Sequence, residues 1–147
     1  MEESVTNKIP EALLEVREYV GPGYAPVVDY GEWRVAILRY EEQSTPEKMA
    51  YIEQHNETDE VFVLLQGKAI LFIGEGEKSI QAIHACDMQP LKIYNVKKST
   101  WHSCTLSRDG VILIVENRNT AEDNSGYIFY TPEQREDLIR LTAEIWG

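Results

Sequence analysis

The sequence is poor in basic residues and has no long apolar run. Only 14 lysines and arginines stand against 25 aspartates and glutamates, so the net charge is −11. Nucleic acids and anionic membrane surfaces attract clusters of lysine and arginine, and we therefore expect neither as a partner. The longest apolar runs, VFVLL and VILIV, have five residues each, far fewer than the roughly 20 that cross a bilayer.

Cysteine is also scarce. Cys86 and Cys104 are the only two, and they form no CxxC pair, which favours reduced thiols in a cytoplasmic protein over a disulfide framework. The N-terminus, MEESVTNKIPEALLEV, begins acidic and lacks an apolar core segment, so we do not expect a signal peptide. A length of 147 residues suits one domain, residues 1–147.

Short strand-like segments dominate the chain between residues 27 and 117. We count about nine of them, closely spaced and separated by turn signals. Gln66-Gly67 predicts a two-residue hairpin, and Ser107–Gly110 predicts another turn. This pattern predicts an all-β fold, an antiparallel sandwich or barrel with its core at residues 27–117.

A helix is expected at each end of these strands. Residues 9–20, IPEALLEVREYV, carry Pro10 in the first turn, and a GPG segment follows them. Residues 131–146 begin with Thr131, Pro132 and Gln134, a capping box with proline at the first helical position. The second helix also has an apolar stripe, predicted to pack on the barrel or on a partner: Leu138, Leu141, Ile145 and Trp146.

Three strand segments are apolar on both faces: VFVLL, AILFI and VILIV. A strand with one wet face alternates between apolar and polar residues. We therefore expect these strands to be covered on the outside as well, by the terminal helices or by a second subunit. A homodimer packed sheet against sheet is the preferred interpretation.

Histidine occurs three times, as His55, His84 and His102. Residues two apart on a strand share a face, so Glu53 and His55 point the same way. Glu60 shares a face with Phe62 and Leu64, where a carboxylate is costly unless it is paired or coordinated. If these strands line one barrel, four side chains converge: Glu53, His55, Glu60 and His102.

Such a set suits a divalent transition metal, namely Zn, Mn, Fe or Ni, because it combines two imidazoles with two carboxylates. Simpler interpretations remain open for each residue. His55 can be an exposed strand end, His102 a hydrogen-bonded core residue, and Glu60 a solvent-facing strand start. Glu53 can pair with a surface cation. His84 has no partner at ligand spacing.

Two segments of the chain resemble the motifs of the cupin superfamily. His55, four residues, Glu60, six residues and Gly67 follow the spacing of the first motif, and VKKSTWH, ending at His102, resembles the second. Glu53 stands where cupins have the first histidine, and Lys97 and Ser99 replace a proline and a glycine. The resemblance implies a single-domain, jelly-roll-like cupin barrel.

The segment from Tyr94 to Ser125 also resembles ureidoglycolate lyase-like cupins, which share the Trp101-His102 pair. This resemblance implies a carbon–nitrogen lyase acting on ureidoglycolate or a similar ureido- or hydroxy-carboxylate. His102 would be the base, or it would bind a metal while Glu60 or Glu53 takes the proton. A carboxylate substrate needs a cation, and five remain open: Lys97, Lys98, Arg34, Arg39 and Arg118.

Two further residues share faces with the candidate site. Tyr51 and Cys104 would bind substrate, or else simply fill the barrel interior. Two other functions stay open as well. The first is a non-catalytic or degenerate cupin that binds a small ligand or a metal, and the second is a structural interaction module.

Overall fold

The computed structural model describes residues 8–147. It contains ten strands and one α-helix. The strands are β1 (Gly23–Tyr30), β2 (Trp33–Arg39), β3 (Tyr51–His55), β4 (Glu60–Gln66), β5 (Ala69–Glu75), β6 (Ala82–Asp87), β7 (Ile93–Val96), β8 (Trp101–Leu106), β9 (Val111–Asn117) and β10 (Ser125–Phe129). The helix α1 is Pro132–Trp146, and single 3₁₀ turns occur at Glu42–Ser44 and Glu122–Asn124.

The strands form two five-stranded antiparallel sheets. Sheet 1 has the order β1-β2-β9-β4-β7, and sheet 2 has the order β10-β3-β8-β5-β6. From β2 onward the chain alternates between the sheets at nearly every step, as in a jelly roll. The all-β, jelly-roll-like prediction is therefore confirmed, with the hydrogen bonds forming a sandwich of two sheets rather than one closed barrel.

The space between the sheets holds the main core. Alternate residues of facing strands fill it, including Phe62 and Leu64 of β4, Ile112 and Ile114 of β9, and Leu71 of β5. These side chains are at most 3% exposed. This core occupies one end of the sandwich, so the polar residues farther along the same strands lie around a cavity.

Helix α1 begins as predicted. The Gln134 backbone N–H donates to Thr131 Oγ1 at 3.1 Å, and the Thr131 N–H donates to Gln134 Oε1 at 3.0 Å. Leu138 is fully buried against Ile70 and Phe72 on the outer face of β5, and the remaining stripe residues pack around it. The helix thus covers the second apolar face of AILFI.

The predicted helix at residues 9–20 is wrong. One turn forms, in which the N–H groups of Leu13 and Leu14 donate to the Pro10 carbonyl, and the chain is irregular from there to Gly21. Leu13 and Val16 are 79% and 67% exposed. A helix of this length is marginal without packing, and its apolar side chains remain largely exposed.

The hairpin predicted at Gln66-Gly67 is also wrong. The turn exists, with Gly67 at φ +73°, but β4 and β5 belong to different sheets. The turn at Ser107–Gly110 likewise connects the two sheets, through β8 and β9. The two turns meet, since the Lys68 N–H donates to Ser107 Oγ at 2.8 Å, and together they close one end of the sandwich.

No helix in residues 8–147 is long and apolar enough to cross a membrane.

Candidate active site

A cavity of about 630 Å³ opens between the two sheets at the end opposite these turns. Sheet 2 contributes Glu53 and His55 from β3 and His102 from β8, and Glu53 lies directly opposite His102 in the strand register. Sheet 1 contributes Glu60, the first residue of β4. The structure thus brings together the four side chains that the sequence predicted to converge.

His102 is held in a defined orientation. Its Nδ1 lies 3.0 Å from the Thr100 carbonyl oxygen, and because a carbonyl only accepts hydrogen bonds, Nδ1 carries a proton. Its Nε2 lies 3.0 Å from Glu60 Oε1. The imidazole is 3% exposed, and Trp101 points to the opposite face of the sheet.

His55 approaches the same carboxylate from the other side. Its Nδ1 lies 2.8 Å from Ser125 Oγ of β10, and its Nε2 lies 3.4 Å from Glu60 Oε2 and 3.7 Å from Glu53 Oε1. The two imidazole rings meet at an angle, with centroids 5.2 Å apart. The Glu60 carboxylate therefore lies between the Nε2 atoms of the two histidines. The Nδ1 atom of each ring has its own partner, Ser125 Oγ for His55 and the Thr100 carbonyl for His102.

These contacts set the ionisation of Glu60. Burial alone would raise its pKa, but the hydrogen bonds from His102 and His55 outweigh burial and hold the pKa well below its usual range. In return, Glu60 raises the pKa of both histidines, against the effect of their own burial. Glu60 is thus an ionised carboxylate between imidazoles that favour the protonated form.

Glu116 is a site residue that the sequence reasoning missed. Its Oε1 accepts hydrogen bonds from the Tyr24 hydroxyl and from Nε and Nη2 of Arg34, at 3.1 and 2.9 Å for the arginine. Its Oε2 is buried and has no partner among the described residues. Burial and the neighbouring Glu60 raise the pKa of Glu116 to about 7, despite Tyr24 and Arg34.

A signal for Glu116 was present in the sequence. In VILIVEN, residues 112, 114 and 116 share one face of the strand, and Ile112 and Ile114 lie in the core. Glu116 therefore shares the inner face of β9 with apolar neighbours, as Glu60 does on β4.

Of the five candidate cations, only Arg34 lines the cavity. Besides Glu116, its guanidinium contacts the carbonyls of Arg118 and Thr120, so the charge is already paired. Arg39 donates to the Tyr19 carbonyl, and Arg118 pairs with Asp29 at the surface. Lys97 and Lys98 belong to an exposed turn.

That exposed turn positions both histidines. Ser99 adopts a left-handed φ of +61° at the place where cupins have glycine, the residue that takes this conformation most easily. Its N–H donates to the His55 carbonyl at 2.8 Å. The turn thereby connects the end of β3 to the start of β8.

Cys104 and Tyr51 both line the cavity, and their roles in substrate binding remain predictions. Burial raises the pKa of the Cys104 thiol far above its usual range, which leaves it a neutral, unreactive group. Tyr51 is 43% exposed at the cavity mouth and so does not fill the interior. His84 lies outside the cavity, paired with Glu75 at 2.6 Å.

The donor set fits a divalent metal ion. Ligand atoms of Glu53, His55 and His102 lie within 4.8 Å of one another, and Glu60 contacts both imidazoles. Nδ1 of each histidine is bonded elsewhere, as is usual for metal-binding histidines that coordinate through Nε2. Nitrogen and oxygen donors of this kind suit Zn, Mn, Fe or Ni.

Comparisons with known proteins support the fold. A variant of Streptomyces Pac13, a nucleoside dehydratase, solved with uridine, is 8% identical over 79% of this chain and 86% of its own, with a TM-score of 0.53. KdgF from Halomonas is 14% identical over 72% and 87%, with a TM-score of 0.50. CapF of Staphylococcus aureus, a capsular polysaccharide assembling protein, is 12% identical over 74% of this chain but 32% of its own, with a TM-score of 0.56.

No protein-family model and no curated protein sequence matches the chain. At these identities the structural likeness shows the fold alone. Together with the sheet topology, it confirms the jelly-roll fold. The molecule is thus a jelly-roll sandwich with a buried carboxyl–imidazole cluster in its cavity.

Proposed function

We propose that the protein is a small-molecule lyase that breaks a carbon–nitrogen or carbon–oxygen bond beside a hydroxyl group. The observation that carries this proposal is the contrast between Glu60 and Glu116. The two carboxyls share one buried cavity, yet Glu60 is held ionised and Glu116 keeps its proton up to about pH 7. Paired carboxyls with separated pKa values provide a base and an acid in one site.

In the proposed reaction, Glu60 accepts the proton of the substrate hydroxyl. The O–H electron pair forms a C=O bond, and the bond from that carbon to the leaving nitrogen or oxygen breaks. Glu116 Oε2 gives its proton to the leaving atom. The proton gained by Glu60 then passes to Glu116 through one water molecule, a path that suits carboxylate oxygens within 4.8 Å of one another, and both residues return to their starting forms.

The surrounding residues keep these roles separate. Arg34 and Tyr24 fix Glu116 Oε1 and leave Oε2 without a hydrogen-bond partner among the described residues, while His102 and His55 stabilise the charge of Glu60. A divalent ion held by Glu53, His55 and His102 would replace the Nε2 protons beside Glu60 and take over their positive charge, and it would supply a Lewis acid that lowers the pKa of the substrate hydroxyl.

Ureidoglycolate, the substrate implied by the sequence resemblance, is the first compound of this class to assay. Release of glyoxylate and urea is measured on the purified chain, with and without added Zn²⁺ or Mn²⁺. Glu60→Gln and Glu116→Gln should each lower kcat by roughly 10²- to 10⁴-fold. Glu75→Gln, a surface change outside the cavity, serves as the control.

Metal content is measured on the same samples. A stoichiometric transition metal that is lost in His102→Ala supports the metal site. A metal-free protein that turns over no hydroxylated substrate would favour the alternative function, a non-catalytic cupin that binds a small ligand.

A further inference from the structure

Two aromatic side chains line the cavity, Tyr51 of β3 and Tyr127 of β10, and Phe129 of β10 lies beside them, paired with Tyr51 in the strand register. We call these three side chains the aromatic shelf. The Tyr51 ring meets the Tyr127 ring edge-on with centroids 5.3 Å apart, and meets the Phe129 ring at 6.1 Å. They are 43%, 40% and 73% exposed. Contiguous exposed apolar surface at the rim of a cavity is characteristic of a binding surface.

The shelf lies next to the reactive groups. Tyr127 pairs with Glu53 across the two strands, and Tyr51 precedes Glu53 by two residues on the same face. With a strand rise of about 3.3 Å per residue, Tyr51 lies about 7 Å from Glu53 and about 13 Å from His55 along β3. A ligand whose ring packs on the shelf therefore needs a short arm to reach the buried carboxyl–imidazole cluster.

The charge of the cavity limits what that ligand carries. Five carboxyl side chains line it: Glu41, Glu53, Glu60, Glu116 and Glu122. Among the described lining residues, the two non-histidine cations are Arg34, already bound to Glu116, and Lys48, which pairs with Glu42 at 3.3 Å on the surface. Both imidazoles contact Glu60 as well, so each cationic group of the lining already has a carboxylate partner, and the cavity favours an uncharged ligand over a carboxylate.

We propose that the cavity binds an uncharged molecule composed of a flat ring and a short hydroxylated arm. The ring packs on the aromatic shelf, where offset or edge-on contacts are favourable, and the arm reaches Glu60 and Glu116. The proposal rests on the proposed function only for the position of the arm. An uncharged ligand of this kind belongs to a different substrate class from small carboxylates such as ureidoglycolate.

Four matched compounds test the two parts of the proposal. They are 1-phenyl-1,2-ethanediol, 1,2-propanediol, mandelate and lactate, which share a secondary hydroxyl group on the carbon that bears the phenyl or methyl group. Two of them carry a phenyl ring and two a methyl group. Within each pair, one compound has a hydroxymethyl group and the other a carboxylate. Binding to the full chain is measured by NMR chemical-shift titration. The phenyl diol should bind roughly tenfold or more tightly than propanediol, and more tightly than mandelate.

Variants locate the ring. Tyr127→Ala and Tyr51→Ala should remove most of the phenyl preference, whereas Tyr127→Phe should keep it because the ring face remains. Tyr30→Ala, which removes an exposed ring from the outer face of sheet 1, is the control. Amide spectra of each variant report whether it is folded. If the phenyl preference is absent, or survives in both alanine variants, the ring does not bind on the aromatic shelf. If mandelate binds more tightly than the phenyl diol, the ligand class is not uncharged.

These outcomes separate this inference from the lyase proposal. The titrations need no turnover and are repeated in Glu60→Gln, where the phenyl preference should persist. A shelf-dependent phenyl preference in a protein without lyase activity supports the ligand class and removes the reaction. Ureidoglycolate turnover without any phenyl preference supports the reaction and removes the ligand class.

Discussion

The carboxyl groups of Glu60 and Glu116 have similar burial but different neighbours. Glu60 accepts hydrogen bonds from two imidazoles, one at each oxygen. Glu116 has all its donors on Oε1 and none among the described residues on Oε2. One negative charge is well stabilised in this space and a second is not, so the proton stays on the carboxyl with the free oxygen.

This difference predicts how activity depends on pH. Glu116 works as an acid only while protonated, and its pKa is raised to about 7. Turnover should therefore be nearly constant from about pH 5 to 6 and fall about tenfold per pH unit well above pH 7. The measurement is a pH–rate profile of kcat. In Glu116→Gln the rate should be low, and a surviving alkaline decline would assign that pKa to another group.

At the residue scale, the sequence predicted the part of the site that follows from short spacings. His55, Glu60 and Gly67 lie at motif intervals, and Glu53 and His102 follow from strand faces. The Arg34–Glu116 pair could not be predicted in this way. Its members are 82 residues apart and meet only because β2 lies beside β9, a neighbour relation that depends on the order of strands in sheet 1.

Among the elements, local signals predicted α1 correctly, but Pro10 and the GPG segment also predicted a helix at residues 9–20 that does not form. The capping box of α1 is encoded within four residues, and the structure confirms it. A turn signal such as Gln66-Gly67 indicates where the chain reverses but not which sheet it enters next. Strand β10 was missed because it is short, follows a polar loop and pairs only with β3.

The junction of the two inter-sheet turns gives a prediction on stability. A Cβ at Gly67 would lie 2.7 Å from Ser107 Oγ and 2.8 Å from the Cα of Gly110. Gly31, in the β1–β2 turn at φ +59°, has nothing within 4 Å. Gly31→Ala should therefore cost only the left-handed backbone strain, about 1–2 kcal/mol, and Gly67→Ala should cost about 1–3 kcal/mol more.

Urea unfolding of both variants measures the two losses. Equal losses would show that the two turns are not tightly packed against each other.

The packing of helix α1 gives a second prediction on stability. Leu138 is fully buried against sheet 2, whereas its neighbour Ile139 is 37% exposed. Leu138→Ala should lower the free energy of unfolding by about 2–5 kcal/mol, because it leaves a cavity. Ile139→Ala should change it by only about 0.5 kcal/mol. Thermal or urea unfolding distinguishes them, and similar losses would contradict the packing of α1 on β5.

At the scale of the whole molecule, the outer face of sheet 1 carries apolar side chains that α1 does not cover. Ile37, Leu113, Val63 and Ile93 form a continuous row across four strands, given the register of β2, β9, β4 and β7. Ile93 is 74% exposed, and α1 packs on the other sheet. The doubly apolar strands of the sequence are therefore explained for β5 but not for β4 and β9, and a homodimer through this face remains our proposal.

Sedimentation equilibrium tests the homodimer. The wild-type chain should show twice its monomer mass of 16.9 kDa. Ile93→Asp should shift it to the monomer, because a carboxylate buried in an apolar interface is costly. The substituted side chain is exposed, so the fold itself should tolerate the change. A monomeric wild-type protein would contradict the proposal.

The cavity takes its polar groups from both sheets, with Glu60 and Glu116 on one and His55 and His102 on the other. Neither sheet alone holds all four groups, so partial opening of the sandwich separates the two carboxyls from the two histidines. Any ion or molecule that contacts both sides acts as a non-covalent cross-link between them. Occupancy should then slow hydrogen exchange in both sheets together, which makes resistance to opening a measure of binding even before a substrate is identified.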